Sequence, residues 1–313
     1  MNSGDAVYPA ALEGFAFAHS PFLRADALRE DTAALAALWP QAQVMVLDAD
    51  GTALADADGG LYLTSGAALG GGPGNALLLG LQGDVAWFSV DADAVPAHAP
   101  NRIDLRRAAA AWPAPHAGAF AFARAMQHWR ARNRYCGKCA GPNEFRRAGY
   151  MAHCTQCGGE QYPRVDPAVI VAVSDGQRLL LGRQASWPAR RYSLVAGFVE
   201  PGESLEQTVV REVLEETRVR VRSCRYLGAQ PWPFPGALML GFIADAEPDL
   251  PQVDGELEDA RWFKIEEIAA ARERDEGVDD GDDQGLLLSP RISIARSLIE
   301  YWYRSMTETP AGN

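Results

Sequence analysis

The sequence predicts an α+β protein built in successive parts. Three observations support this prediction: short apolar runs of strand length alternate with helical patterns, two Cys-x-x-Cys pairs lie mid-chain, and an acidic helix follows a loop marked by glycine and proline. We expect an N-terminal α+β domain, then a compact four-cysteine ribbon, then a second domain of strands and helices, and finally a short tail. The predicted boundaries are 1–130, 131–163, 164–305 and 306–313.

Charge and composition narrow the function classes. The 313 residues carry 29 Lys and Arg against 41 Asp and Glu, a net charge of −12. A protein that binds nucleic acid through phosphate contacts is usually basic, so this balance argues against a dedicated nucleic-acid binder. The charge does not exclude an enzyme that acts on a nucleotide, because a metal ion can neutralise the substrate locally.

No membrane partner is expected. The chain has no run of about 18 apolar residues, and its start lacks the basic residues and apolar core of a signal peptide. We therefore expect a cytoplasmic protein, in which paired cysteines bind metal rather than form disulfides.

The N-terminal part shows strands and a helix but no catalytic pattern. Apolar clusters predict strands at 43–47 and 76–81, with a turn-rich stretch, ALGGGPGN, at 68–75. An amphipathic pattern predicts a helix over 119–134 that leads to the first cysteine.

Four cysteines form two pairs with metal-ligand spacing. Cys136 and Cys139 are separated from Cys154 and Cys157 by fourteen residues, and glycines beside each pair permit tight turns. Four thiolates satisfy a tetrahedral Zn²⁺ ion and leave no open position for water, so the spacing predicts a structural zinc site. Two redox dithiols are the alternative. The fifth cysteine, Cys224, is predicted to be a small buried hydrophobic residue.

The second half of the chain alternates strand-like runs with helices. A last helix is predicted from Pro290. The acidic, glycine-rich stretch at 272–285 is predicted to be a mobile loop with a solvated surface, and we assign it no function. Strands are predicted at 168–173, 178–182, 192–198, 237–245 and 260–265.

The acidic helix carries carboxylates on one face. Ser204 and Gln207 have the spacing of a capping box, so the helix should begin there. Glu212, Glu215 and Glu216 then share one face, a single turn apart. A solvated acidic face is the ordinary interpretation of such a run. Few basic residues are placed to pair with these carboxylates, however, and clustered carboxylates suit Mg²⁺ or Mn²⁺.

This stretch resembles the Nudix box, G-x5-E-x7-R-E-U-x-E-E-x-G-U, in which U is aliphatic. Arg218 stands where the family has a glycine that ends the helix with positive φ, and arginine there should cost about 1 kcal/mol. The resemblance implies an α/β/α sandwich around a mixed sheet, and a substrate in which a nucleoside diphosphate is linked to another group. Eight of nine positions match: Gly197, Glu203, Arg211, Glu212, Val213, Glu215, Glu216 and Val219.

The same resemblance implies a catalytic metal site. Glu212 and Glu216 would bind Mg²⁺ or Mn²⁺, together with the backbone carbonyl near Ala196 and with Glu256, an additional glutamate beyond the box. The alternative for Glu256 is an acid in a solvated loop.

Three other box residues also receive implied roles. Glu215 would bind metal or activate the attacking water. Arg211 would pair with Glu203 and so fix the loop–helix–loop.

A proline-rich stretch, QPWPFPG at 230–236, follows the box. Three prolines in six residues do not suit a helix interior or a central strand, so we predict a stiff loop that presents Trp232 and Phe234. Such rings would stack on a base for about 1–3 kcal/mol, and packing into a core is the alternative. The stretch resembles the SQPWPFPxS signature of Nudix NADH pyrophosphatases, with Ala229 and Ala237 at the serine positions. The implied substrate-binding residues are Gln230, Pro231, Trp232, Pro233, Phe234, Pro235, Gly236 and Ala237.

The NudC-type members of that family also carry a four-cysteine zinc ribbon before the Nudix domain. The resemblance implies hydrolysis of NAD(H) to AMP and nicotinamide mononucleotide, and a homodimer. It also makes Tyr162 and Phe198 aromatic partners for the base or nicotinamide, and Ala295 a backbone contact. The two rings are equally compatible with a buried core.

Three rival functions stay open. The first is hydrolysis of another dinucleotide, such as ADP-ribose or diadenosine polyphosphate. The second is removal of NAD caps from RNA, for which arginines around the ribbon offer a surface unless they simply face solvent. The third is a non-catalytic zinc-ribbon binding module. The arginines are Arg130, Arg132, Arg134, Arg146 and Arg147.

Overall fold

The computed structural model describes residues 12, 14–18, 20–253, 255–274 and 285–308. Most of the predicted acidic loop at 272–285 and the end of the predicted tail at 306–313 lie outside the described residues. The chain divides into two compact units. We call them the N-terminal unit (Ala16–Val165 with Pro231–Ala237) and the C-terminal unit (Met1–Phe15, Asp166–Gln230 and Leu238–Asn313). The domain boundaries given above stay predictions.

A mixed sheet forms the centre of the N-terminal unit. Its strands are β1 (Gln43–Leu47), β2 (Ala53–Ala55), β3 (Leu63–Ser65), β4 (Leu77–Gln82), β5 (Val85–Asp91) and β6 (Asn101–Ile103). Their order is β4-β5-β1-β2-β6, with β3 also paired to β1, and β1 runs parallel to β5. The helices are α1 (Thr32–Leu38), α2 (Gly66–Leu69), α3 (Leu105–Ala111) and α4 (Ala114–Arg132).

Helix α4 begins five residues before the predicted start at 119. Its N-cap is Pro113, and a second proline lies in its first turn. Proline is tolerated there because the first N–H groups of a helix have no intrahelical acceptor. Pro115 is therefore part of the helix.

The ribbon is a small three-stranded antiparallel sheet. Its strands are β7 (Asn143–Arg146), β8 (Met151–Cys154) and β9 (Glu160–Gln161), in the order β7-β8-β9. The ribbon belongs to the N-terminal unit.

A six-stranded sheet forms the centre of the C-terminal unit. Its strands are β10 (Asp166–Ser174), β11 (Arg178–Arg183), β12 (Val195–Phe198), β13 (Val221–Trp232), β14 (Ala237–Ala246) and β15 (Asp259–Lys264). The order is β13-β14-β10-β11-β15, with β12 paired to β10. The helices are α5 (Leu205–Thr217), α6 (Ile265–Arg272) and α7 (Ile294–Thr307).

Strand β10 shows why helices cover both faces of this sheet. Side chains alternate across a strand, and both alternating sets of β10 are apolar. Val171 lies in a buried cluster with Val213 of α5, whereas Ile170 lies in a second cluster with Leu298 of α7. The α+β fold class and the α/β/α layering expected from the sequence are thereby confirmed.

Two predicted elements differ from the structure. The strand predicted at 192–198 is paired as β12 from Val195, and the stretch before it forms isolated bridges. Strand β13 continues through Pro231 to Trp232, so the predicted stiff loop is shorter than expected. Proline is tolerated here because β13 lies at the edge of the sheet.

No helix in the described part of the chain combines the length and apolar character that crossing a bilayer would require.

Candidate active site and metal centre

The four ribbon cysteines converge on one point. Their sulfur atoms all lie within 4.8 Å of one another. The Sγ–Sγ distance is 3.7 Å between Cys136 and Cys157 and 3.4 Å between Cys139 and Cys154. Zinc–sulfur bonds of about 2.3 Å in a tetrahedron give sulfur atoms about 3.8 Å apart. The geometry therefore fits a four-sulfur zinc site.

Backbone N–H groups favour the thiolate form at two of these cysteines, Cys136 and Cys154. The N–H of Lys138 lies 3.4 Å from the sulfur of Cys136, and that of Cys157 lies 3.5 Å from the sulfur of Cys154. The Cys157 N–H is the main reason that the pKa of the Cys154 thiol falls to about 6. Donors aimed at sulfur favour the charged form, which is the form that binds metal.

Helix α5 is capped as predicted. The Ser204 hydroxyl accepts the N–H of Gln207 at 3.3 Å, and the Gln207 side chain accepts the N–H of Ser204 at 2.8 Å. The helix ends at Arg218, whose φ of 60° and ψ of 12° are left-handed. The positive φ inferred for this position is thus present without glycine.

Arg211 gathers the carboxylates of the helix and its preceding loop. Its Nε and Nη2 donate to the two carboxylate oxygens of Glu203 at 2.6 and 2.9 Å. Its Nη1 lies 3.0 Å from Glu215 and 2.9 Å from Glu212, and Nη2 also donates to the Phe198 carbonyl at 2.9 Å. One guanidinium therefore ties the strand end, the loop and the helix together.

The partners of Glu203 separate it from the other glutamates. Besides Arg211, its carboxylate accepts the N–H of Glu200 at 3.1 Å and the hydroxyl of Thr208 at 3.0 Å. The pKa of Glu203 falls to about 2, first because of Arg211 and then because of the Glu200 N–H. Both oxygens of Glu203 accept hydrogen bonds from protein donors, so this carboxylate holds the loop against the helix.

Glu212 lies directly against the backbone of β12. It is 8% exposed, and burial raises the pKa of its carboxyl although Arg211 opposes the rise. A Cβ on Gly197 would lie 1.9 Å from the Glu212 carboxyl carbon. The close approach of the carboxylate requires glycine at this position, which gives the first residue of the box a physical role.

Three further carboxylates surround this point in different environments. Glu216 follows Glu212 by one turn and is 5% exposed, whereas Glu215 faces solvent. Glu256 is exposed, and its charge contributes to the raised pKa of Glu212. The charges of Glu215 and Glu256 therefore both act on the Glu212 carboxyl.

The predicted substrate contacts of the C-terminal unit differ in exposure. Phe198 is 60% exposed and Ala196, on the same strand, is half-buried, so a core role for Phe198 is excluded. Ala295 is buried in the first turn of α7. Gln230 is fully buried: its Nε2 donates to the Ile292 carbonyl, and its Oε1 accepts the Ile294 N–H, each at 2.8 Å.

The aromatic pair of the proline-rich stretch packs within the N-terminal unit. The ring centroids of Trp232 and Phe234 are 4.9 Å apart, and each lies about 6 Å from Phe17, at 6.2 and 6.1 Å. The Arg106 guanidinium lies 4.1 Å from the Phe234 ring centroid. Both rings are half-buried. They combine core packing, the alternative given above, with a partly open face.

The other members of the proline-rich stretch differ in their exposure to solvent. Pro233 is buried, Pro231 and Pro235 are exposed, and Gly236 and Ala237 are half-buried.

Tyr162 lies in the ribbon with its ring 45% exposed, which excludes the core interpretation. Its hydroxyl donates to Glu160 at 2.6 Å. Of the ribbon arginines, Arg146 pairs with Glu144 and Arg147 with Glu30. Arg132 and Arg134 are exposed.

Three family models match the chain in succession. Residues 16–129 match an NADH pyrophosphatase-like rudimentary NUDIX domain, residues 131–162 an NADH pyrophosphatase zinc ribbon domain, and residues 164–280 a NUDIX domain. Proteins named NAD-capped RNA hydrolase NudC from Mycobacterium bovis and Mycobacterium tuberculosis are each 39% identical over 89% of this chain and 91% of their own length. The chain belongs to the NudC family. The resemblance inferred from the sequence is confirmed.

A third NudC relative, from Chromobacterium violaceum, is 42% identical over 56% of this chain and 66% of its own length. The match of residues 131–162 to the zinc ribbon model and the convergence of the four cysteine sulfurs both support a structural zinc site in this chain.

Sequence reasoning missed several residues that contact the predicted site residues within each unit of this NudC-family chain. Thr208 supports Glu203 through its hydroxyl, and Arg106 and Phe17 contact the aromatic pair. Thr208 lies four residues after the predicted cap at Ser204. A polar residue on the apolar face of the helix was the signal that could have identified it. Arg106 and Phe17 are more than a hundred residues from Phe234, and no local pattern marks them.

Proposed function

We propose that this chain hydrolyses the pyrophosphate bond of NAD(H), giving AMP and nicotinamide mononucleotide, or its reduced form from NADH. The observation that carries the proposal is the pair Glu212 and Glu216, two nearly buried carboxylates one turn apart on a helix fixed by Arg211. The names of the mycobacterial relatives support NAD as the dinucleotide.

The carboxylate cluster suits divalent cations. Burial of Glu212 disfavours its charged form, and a bound cation would offset that cost. Glu212, Glu216 and Glu256, with the carbonyl near Ala196, would hold Mg²⁺ or Mn²⁺, which prefer oxygen ligands. When bound, these ions neutralise the pyrophosphate and lower the pKa of the attacking water.

The remaining residues would hold the loop and helix in place and accept a proton. Arg211 holds Glu203, Glu215 and the Phe198 carbonyl at once, which keeps the loop and helix in register. Glu215 or Glu216 would accept the proton of the attacking water, since a general base must lie within reach of the nucleophile. The zinc site would hold the ribbon together without entering the reaction.

The test compares wild type with Glu216→Gln. Each is incubated with NADH and Mn²⁺ and then Mg²⁺, and AMP is quantified by chromatography. We expect wild type to release AMP and Glu216→Gln to lose several orders of magnitude in kcat at an unchanged Tm. Glu206→Gln, an exposed position on the same helix, is the matched control. Unchanged turnover in Glu216→Gln would refute the proposal, and absence of AMP from wild type would favour a non-catalytic module.

A second activity, removal of NAD caps from RNA, is favoured because the relatives are named NAD-capped RNA hydrolases. The chemistry at phosphorus is the same for both substrates. Side-by-side kcat/KM values for NADH, NAD⁺, ADP-ribose and NAD-capped RNA distinguish the substrates. A higher value for ADP-ribose than for the NAD substrates would contradict the assignment.

We also propose a homodimer. Light scattering on the purified protein should give twice the 33.8 kDa chain mass. A mass equal to one chain would contradict this.

A further inference from the structure

A cavity of about 300 Å³ lies in the N-terminal unit and shares no residue with the zinc site, the glutamate site or the proline-rich stretch, although Arg130 and Arg134 are among the arginines named above for capped RNA. The end of α4 contributes Gln127 and Arg130, β5 contributes Ser89 and Asp91, and Phe145 comes from β7 of the ribbon. Two further charged residues, Asp93 and Arg134, also line it.

Arg130 is a half-buried basic residue in the lining of this cavity. Its guanidinium carbon lies 4.8 Å from the Phe145 ring centroid, and the side chain donates no hydrogen bond to another residue in the described part of the chain. Burial lowers the pKa of Arg130, and the Asp91 carboxylate opposes that effect. A guanidinium withdrawn from water without acceptors is unfavourable, so the site is more stable when a ligand or water supplies oxygens.

Other polar groups around the cavity also lack protein partners. The Ser89 hydroxyl belongs to a residue only 6% exposed, yet it forms no hydrogen bond with any described residue. The side chains of Arg134 and Asp93 likewise have no hydrogen-bond partner among the residues that the structure describes. Buried polar groups are nearly always paired, so the buried Ser89 hydroxyl and the half-buried Arg130 guanidinium indicate a ligand site, whereas Arg134 and Asp93 are exposed and add charge to the lining.

Gln127 shows that the cavity wall is preorganised. Its Nε2 donates to the Asp48 carbonyl at 3.0 Å and to the Asp91 carboxylate at 2.9 Å. This fixes the amide orientation and leaves Oε1 as an acceptor.

We propose that this cavity binds a small phosphate monoester that carries hydroxyl groups, such as a sugar phosphate. The phosphate oxygens would accept hydrogen bonds from Arg130, Arg134 and Ser89. The hydroxyl groups would donate to Asp93 and to Gln127 Oε1. Guanidinium groups and hydroxyls are the usual phosphate donors, and carboxylates are strong acceptors for sugar hydroxyls.

Size and charge favour this class over its alternatives. A volume of about 300 Å³ is at the lower end for ligand pockets, which suits a sugar phosphate better than a dinucleotide. The face of Phe145 is covered by Arg130, so a base has no open ring on which to stack. Arg130 and Arg134 supply the positive charge that a phosphate group needs.

The test is calorimetric titration of the full chain with ribose 5-phosphate in buffer without added Mg²⁺ or Mn²⁺. We expect one saturable site in wild type, at least tenfold weaker binding in Arg130→Gln, and severalfold weaker binding in Ser89→Ala. Arg132→Gln is the matched control, because Arg132 lies on the same helix but does not line the cavity. Its affinity should stay within twofold of wild type.

Four results would overturn the proposal. They are the absence of saturable binding to wild type at millimolar ligand, unchanged affinity in both cavity variants, inorganic phosphate that binds as tightly as ribose 5-phosphate, and displacement of the sugar phosphate by a short oligoribonucleotide at lower concentration. Should Arg130→Gln lower the Tm, Ser89→Ala decides alone. The outcome is independent of the glutamate site, since none of these residues belongs to it.

Discussion

Replacement of Gly197 by alanine should lower the activity strongly and the unfolding free energy only slightly. Gly197 lies on β12, where its Cα faces the carboxylate of Glu212. A Cβ would stand 1.9 Å from the Glu212 carboxyl carbon and 2.0 and 2.3 Å from its two oxygens. The φ of Gly197 is not in the left-handed region, so the backbone itself accepts alanine.

The size of the effect follows from these distances. Carbon atoms in contact lie about 3.5 Å apart or more, so the Glu212 carboxyl carbon must move by about 1.5 Å. A displacement of about 1 Å at a reacting centre costs roughly 100-fold in rate, which is about 2.7 kcal/mol of transition-state stabilisation. The atoms that must move are the end of a flexible side chain, so the loss in unfolding free energy should stay near the lower bound for overpacking, about 1 kcal/mol.

The assay is kcat/KM for NADH with Mn²⁺, together with urea denaturation of the metal-free protein. Gly72→Ala is the control, because a Cβ at Gly72 meets no atom within 4 Å and its φ is also outside the left-handed region. Glu212→Asp in the Gly197→Ala background shortens the crowded side chain by one methylene. We expect it to recover part of the lost activity, as a coupled pair should.

Full activity in Gly197→Ala would refute the reasoning, because it would mean that the position of the Glu212 carboxylate does not matter. A loss of several kcal/mol in stability would refute it differently, by showing that alanine disrupts the strand rather than the carboxylate.

Four other predictions test the remaining parts of the structure. Arg218→Gly should raise the unfolding free energy by about 1 kcal/mol by relieving a left-handed arginine, and an unchanged or lower urea midpoint would contradict this. Cys154→Ser should lose the one zinc per chain that elemental analysis is expected to find in wild type, and retained zinc would exclude the four-sulfur site. Glu203 has a folded pKa of about 2 against an ordinary 4.5, so its stabilising effect is present above pH 4.5 and is lost as the pH falls towards 2. Glu203→Gln should therefore flatten the fall in urea midpoint over that window, and an unchanged slope would count against the Arg211 pairing. Gln230→Ala should lower the unfolding free energy by about 2 kcal/mol or more, because two buried backbone groups lose their partner; a change in KM at constant stability would make it a substrate contact instead.

Local chemistry explains most of what the sequence predicted correctly. The capping box at Ser204 and the left-handed end at Arg218 depend on residues within one helical turn. The apolar run of β10 predicts a strand covered on both faces because both of its alternating sets are apolar. The four cysteines required no knowledge of the fold beyond two tight turns.

Long-range contacts explain what the sequence left out. The stacking of Arg106 on Phe234 and the hydrogen bond from Gln127 to Asp91 join distant segments. Propensity and periodicity report on a residue's neighbours in sequence, so they carry no information about such pairs. For the same reason the sequence placed Arg130 on a surface, whereas the structure places it on Phe145 in a cavity.

The start of α7 shows how a distant residue moves a helix boundary. The sequence indicated a start at Pro290, but the first helical residue is Ile294, with Ser293 as the cap. The Ile294 N–H has no acceptor within its own helix, and Gln230, sixty-four residues earlier, supplies one. The other end of the same amide donates to the Ile292 carbonyl, so both ends of the side chain have backbone partners. Gln230 of the proline-rich stretch therefore fixes where α7 begins and so where Ala295 lies.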